Sequence, residues 1–188
     1  MKTMKYFGML VMGAMMAFGF TACGSDDDNN DGGGSRGGKT SVTVNGKTFS
    51  GSYAFYNIET TDGVTWYELW ISNCNLPSVS DPWECLTVLY PVTDGSTTQM
   101  ASGEFSDYQL SVTSASMDES KDVAYYAFSG YNGNTGKVKV TVSGSTVSVE
   151  VPALNYVSSL AENAPTYAGG AFSFSGSMSK MPTSFLSK

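Results

Sequence analysis

From Thr40 onward the chain alternates apolar and polar side chains with a period of two, which sets successive residues of a strand on opposite faces. Val138, Val140 and Val142 alternate with Lys137, Lys139 and Thr141, and Val147, Val149 and Val151 alternate with Thr146, Ser148 and Glu150. Tyr108, Leu110 and Val112 interleave with Gln109, Ser111 and Thr113, while Phe172 and Phe174 alternate with Ser173 and Ser175. Between these runs fall Asn45-Gly46, Asp62-Gly63, Asp94-Gly95 and Ser143-Gly144, whose glycines accept positive φ in tight turns. Asn45-Gly46 and Ser143-Gly144 read as two-residue hairpin turns. The pattern predicts strands over 40–45, 47–58, 64–73, 85–91, 107–115, 122–130, 136–143, 145–152 and 169–178. About nine short strands with regular turns predict an all-β domain, an antiparallel β-sandwich or barrel. Tyr156 to Glu162 is the stretch that could form a short helix.

The run Val64 to Asn73 carries the candidate working surface. Tyr67, Leu69 and Ile71 share one face and Trp66, Glu68, Trp70 and Ser72 the other. With the first set facing the core, the second points outward, or into a cavity if the sheet closes as a barrel. Two tryptophans four residues apart stand about 13 Å from each other along a strand. With Glu68 between them they could stack sugar rings and accept hydroxyl hydrogens. Alternatively, they are cross-strand aromatic partners under a neighbouring loop. Trp83 falls in the segment Asn75 to Glu84, which would be either a ligand-facing loop or a lid over the core. Phe49, Tyr53, Phe55, Tyr125, Tyr126 and Phe128 occupy strand-periodic positions and are assigned to the core.

The N-terminus is organised differently. Lys2 and Lys5 precede an uncharged apolar run from Tyr6 to Phe20, then Thr21-Ala22-Cys23. This segment is shorter than the roughly 20 residues that cross a bilayer core. It resembles the export signal and lipobox of bacterial lipoproteins, with Phe20 where leucine is usual. The resemblance implies that residues 1–22 are removed and that Cys23 is diacylated and becomes the first residue, a stable membrane anchor. Ser25-Asp26-Asp27-Asp28 resembles the acidic signal that sends Bacteroidota lipoproteins to the outer face of the outer membrane. Residues 23–39 then form a flexible acidic, glycine-rich tether with too little apolar surface to fold. Residues 40–180 form the domain and 181–188 a tail. Strand rhythm and the opening Val44-Asn45-Gly46-Lys47 hairpin resemble the small all-β lipoproteins of the Bacteroidota, some of them lipocalin-like or calycin-like.

Charge and composition narrow the chemistry. From Thr40 the domain carries six lysines against thirteen carboxylates, a net charge of −7, and Arg36 in the tether is the one arginine of the chain. An acidic domain without a guanidinium clamp or basic stripe is not built for nucleic acid. The absence of histidine removes imidazole acid–base catalysis, Ser-His and Cys-His pairs and imidazole metal sites. Carboxylate pairs of the glycosidase type remain, drawn from Glu59, Glu68, Glu84, Glu104 and Asp107, and the spacing selects none. No catalytic residue, metal ligand or cofactor is assigned. Outside the cytoplasm disulfides persist, so Cys74 and Cys85 are expected to bridge a hairpin and contribute about 3 kcal/mol; the alternative is two separate buried thiols.

The sequence thus predicts a lipid-anchored cell-surface binding protein for a glycan or small apolar ligand, with Trp66, Glu68, Trp70 and Trp83 as contact residues. The rival class is a structural or accessory subunit of an outer-membrane assembly, with an outer-membrane protein as partner.

Overall fold

The computed structural model describes residues 36–75, 83–115 and 123–182. Cys23, the signal segment, the spacer up to residue 35, the loop residues 76–82 and the tail from 183 lie outside them. The strands are β1 Arg36–Val44, β2 Lys47–Thr61, β3 Val64–Ser72, β4 Trp83–Thr93, β5 Gly103–Phe105, β6 Gln109–Ala115, β7 Val123–Phe128, β8 Val138–Ser143, β9 Thr146–Val151, β10 Leu154–Val157, β11 Thr166–Gly169 and β12 Phe172–Lys180.

The all-β class is as the pattern predicts, but the described residues hold twelve strands rather than about nine. The additions β5, β10 and β11 are three or four residues long, too short for a period of two to declare itself. Residues from Tyr156 do not open a helix, because Leu154 and Tyr156 bury their side chains in the core and β10 pairs along its length with β11. The stretch expected as one strand over 169–178 breaks between Gly169 and Phe172. β1 begins at Arg36, inside the segment read as tether. Asn45-Gly46 forms the expected hairpin turn with both residues at positive φ, 51° and 74°. The β8–β9 turn is shifted by one residue, with Ser143 paired to Thr146 and Gly144-Ser145 between them.

The topology forks at β2. Up to Tyr53 its residues pair with β1, with a register shift after the Gly51 pair, whereas Ala54 to Tyr56 pair with β12, and these last pairs are parallel in an otherwise antiparallel fold. Gly51 marks the bend, since a Cβ there would sit 2.7 Å from the Ile71 carbonyl oxygen. One limb runs through β1, β11 and β10 to β7 and closes a ring of eight strands with β6, β4, β3 and β2. The other limb is a four-strand wing, β12-β9-β8-β5. The ring combines long ladders with two thin seams. β2/β3 and β3/β4 are paired over nine residues each, while β1/β11 and β7/β10 meet at single pairs, Val44↔Gly169 and Val157↔Tyr126.

One apolar cluster fills the ring and extends under the wing. Tyr67, Leu69, Ile71, Leu86, Val88, Leu110 and Val112 from the wall meet Val138, Val140, Val147, Val149, Phe172 and Phe174 from the wing. Tyrosine tips tie this interior to the connecting segments, with Tyr67 Oη donating to Ser96 O at 2.8 Å, Tyr90 Oη to Ala101 O at 2.8 Å and Tyr108 Oη to Gly136 O at 3.2 Å. The interior is therefore a packed core of the kind small barrels have, not a lipocalin-type cup.

Candidate functional site

β3 divides its side chains as the alternation predicts. Tyr67, Leu69 and Ile71 are fully buried in the ring, and Trp66, Glu68, Trp70 and Ser72 stand on its outer wall. The outer four differ from one another because a second apolar cluster covers one end of the strand. Trp70 packs there with Phe55, Cys74, Trp83, Cys85 and Met181, and Tyr53 lies against them. Met181, whose N–H donates to Tyr56 O at 2.8 Å, brings the chain after β12 onto this cluster. Trp70 is thus a packing residue, as the cross-strand alternative anticipates, while Trp66 and Glu68 are half-buried at the other end of the face.

Trp83 is the first residue of β4. Its ring stacks on Trp70 with centroids 6.0 Å apart, and its indole N–H donates to Ser72 Oγ at 2.9 Å. The same Ser72 oxygen accepts the Cys74 N–H at 3.2 Å. At 7% exposure Trp83 belongs to this cluster, not to a ligand-facing loop.

No disulfide joins Cys74 to Cys85, and this corrects the expected bridge. Ser72 is the direct partner of Cys85, so Cys74, two residues further on, falls on the diagonal. Diagonal neighbours in a sheet stand about 7 to 8 Å apart, past the roughly 7 Å limit for a bridge. Burial pushes the Cys85 thiol up to about 12, against a weaker pull from its contact with Thr87. It is an inert buried thiol.

Glu68 is the ionisable group at that end of the face. Burial is the main cause raising its carboxyl to about 7; the Trp70 indole N–H and Asn57 pull it back, and the nearby Glu59 charge pushes it further up. The Trp70 N–H lies beside this carboxyl without forming a well-aligned hydrogen bond. Near neutral pH Glu68 can therefore either donate or accept a hydrogen bond.

The register sets Glu59 across from Trp66 and Asn57 across from Glu68, so the two glutamates are diagonal neighbours. The other carboxylates weighed for acid–base chemistry are elsewhere. Glu84 Oε2 accepts from Ser50 N–H at 3.0 Å and Ser50 Oγ at 2.7 Å, which pins β4 to β2, while Glu104 pairs with Lys137 at 3.7 Å. Asp107 is exposed in the segment before β6.

Cross-strand register also assembles residues that the sequence could not bring together. Asn57, Glu68, Leu89, Gln109 and Phe128 form one outward row across β2, β3, β4, β6 and β7. Pro91 stands beside Trp66 on the same face. At the far end Phe128 lies nearly parallel to Tyr126 at 6.4 Å and edge-on to Tyr131 at 5.9 Å. Of the residues assigned to the core by periodicity, Tyr125 enters the ring beside Ala127, whereas Tyr126 and Phe128 lie on the other face of β7, Tyr126 still buried there and Phe128 only half-buried. Alternation carries that split, but which strands stand side by side is not written locally.

A separate open cleft of about 790 Å³ lies between β1 and the wing. Lys39, Lys137, Lys139, Glu104 and Glu150 line it over Phe172 and Pro152. Its charges largely satisfy one another, Lys137 with Glu104 at 3.7 Å and Lys139 with Glu150 at 3.4 Å, and these four side chains are more than half exposed. Such solvated pairs contribute little and offer no directed set of donors.

Compared with known proteins, the chain matches no family model, no curated protein and no solved structure.

Proposed function

We propose that the chain is a lipid-anchored protein of the outer-membrane surface that binds a glycan on the outer wall around Trp66 and Glu68. The observation that carries this reading is the contrast within one strand face: Trp70 is sealed into a cluster, while Trp66 and Glu68 stay half-buried beside Asn57 and Pro91. A flat indole next to hydrogen-bonding groups matches a sugar ring, which has an apolar face and a hydroxyl edge. The packed interior favours this site over an internal one for a small apolar ligand. Anchoring through Cys23 rests on the lipobox-like sequence around it.

Affinity electrophoresis through gels containing glucans, mannans, galactans or xylans tests the binding reading. Wild type is retarded by at least one polymer and Trp66→Ala migrates freely; equal migration of both in every gel contradicts it. Loss of membrane association on Cys23→Ala tests the anchor.

A further inference from the structure

We infer that the outer wall takes a linear, uncharged oligosaccharide lying across the strands, from Trp66 and Glu68 on β3 over Leu89 on β4 to Gln109 on β6 and Phe128 on β7. This deepens the glycan reading above and rests on it. The geometry comes from the register, which places Glu68, Leu89, Gln109 and Phe128 directly opposite one another in sequence across four neighbouring strands. The row spans three inter-strand spacings of about 4.8 Å, roughly 14 Å, or about three hexose units. Along β3 itself the ligand would run into Trp70, which Trp83 and Met181 cover.

The wall between these ends is continuous. β3/β4, β4/β6 and β6/β7 pair over nine, seven and six residues, and the single-pair seams of the ring lie beyond β7 and beyond β1. The row also alternates in chemistry. Glu68 and Gln109 offer a carboxyl and an amide on either side of Leu89, which is itself buried at 8% exposure, and the aromatic group of Tyr126, Phe128 and Tyr131 ends it. That spacing of hydrogen-bonding and flat apolar groups matches the alternating hydroxyl edges and ring faces of a sugar chain, as bases stack on aromatic platforms in single-strand binders.

The absence of charge in the ligand follows from the strands themselves. β3, β4, β6 and β7 carry no lysine or arginine, so nothing on the row can pair with a uronate, sulfate or phosphate.

The test is isothermal calorimetry of the folded domain with linear glucose, mannose, galactose and xylose oligomers of one to six units. For the series that binds, affinity climbs at least tenfold from one unit to three and then levels off. Gln109→Ala and Phe128→Ala each cost about tenfold with the trimer and leave the single sugar unaffected, whereas Trp66→Ala weakens both. Gln109→Ala keeps the measurement interpretable should the aromatic substitution disturb folding. Affinity that is flat with chain length, or a trimer insensitive to Gln109→Ala, overturns the cross-strand row while leaving a glycan site at Trp66 intact. Failure of every oligomer to bind wild type overturns both.

Discussion

Trp70 and Trp83 stack with ring centroids 6.0 Å apart, one on β3 and the other on the first residue of β4, and together they close the outer wall at the end where Ser72 takes the Trp83 indole N–H. The contact explains why one tryptophan of β3 is structural while the other stays half-buried. Trp70→Ala is expected to cost about 3–5 kcal/mol through lost burial and the cavity left behind. Trp66→Ala is expected to cost under half of that, since part of its ring already faces water. Urea unfolding of the two variants ranks them, and equal losses would contradict the division of the face.

The four fully buried tyrosines differ in one respect. Tyr90 Oη donates to Ala101 O at 2.8 Å, whereas the Tyr156 hydroxyl finds no hydrogen-bond partner among the described residues. Removing a satisfied buried hydroxyl costs about 1 kcal/mol or more, and removing an unsatisfied one relieves a desolvation cost of about 1–3 kcal/mol. Tyr90→Phe is therefore expected to lower the unfolding midpoint and Tyr156→Phe to hold or raise it. A loss of stability in Tyr156→Phe equal to that of Tyr90→Phe would contradict this.

Glu68 makes stability depend on pH in a defined direction. Burial raises its carboxyl from 4.5 to about 7, so across that interval the folded protein holds a proton the unfolded chain has released. The contribution of this group is present in full below about 4.5, falls as pH climbs and is lost above about 7. Glu68→Gln keeps the shape and removes the titration. Its stability relative to wild type is expected to improve by about 1–3 kcal/mol between pH 4.5 and 7.5 and then level off. Denaturant unfolding of both proteins at several pH values measures this, and a constant difference would contradict it. In the bound state the sign reverses, because sugar hydroxyls that donate to Glu68 favour the ionised carboxylate, so affinity for a neutral sugar rises from pH 6 to 8.

Much of the fold is legible in local pattern. The Val138–Val142 and Val147–Val151 alternations mark β8 and β9, Asn45-Gly46 marks its hairpin, and the face assignment of Tyr67, Leu69 and Ile71 holds to the residue. Brief or branched elements are not legible. β5 has three residues, and β12 pairs in parallel with a strand more than a hundred residues earlier, for which no local signal exists. The candidate site was visible as a strand face but not as a row, since Asn57, Gln109 and Phe128 join Glu68 through register alone. The expected disulfide failed for the same reason. Compartment and cysteine count suggested a Cys74–Cys85 bridge, and register placed Ser72 opposite Cys85 instead.

Amide chemical-shift mapping of the isotope-labelled domain with the neutral oligomer that binds locates the ligand on the outer wall or elsewhere. Shifts are expected at Trp66, Glu68, Leu89, Gln109 and Phe128 and at their strand neighbours on the outer wall. Shifts concentrated at Lys39, Lys137 and Lys139 in the wing cleft, or at interior positions such as Leu69 and Val88, would contradict an outer-wall site.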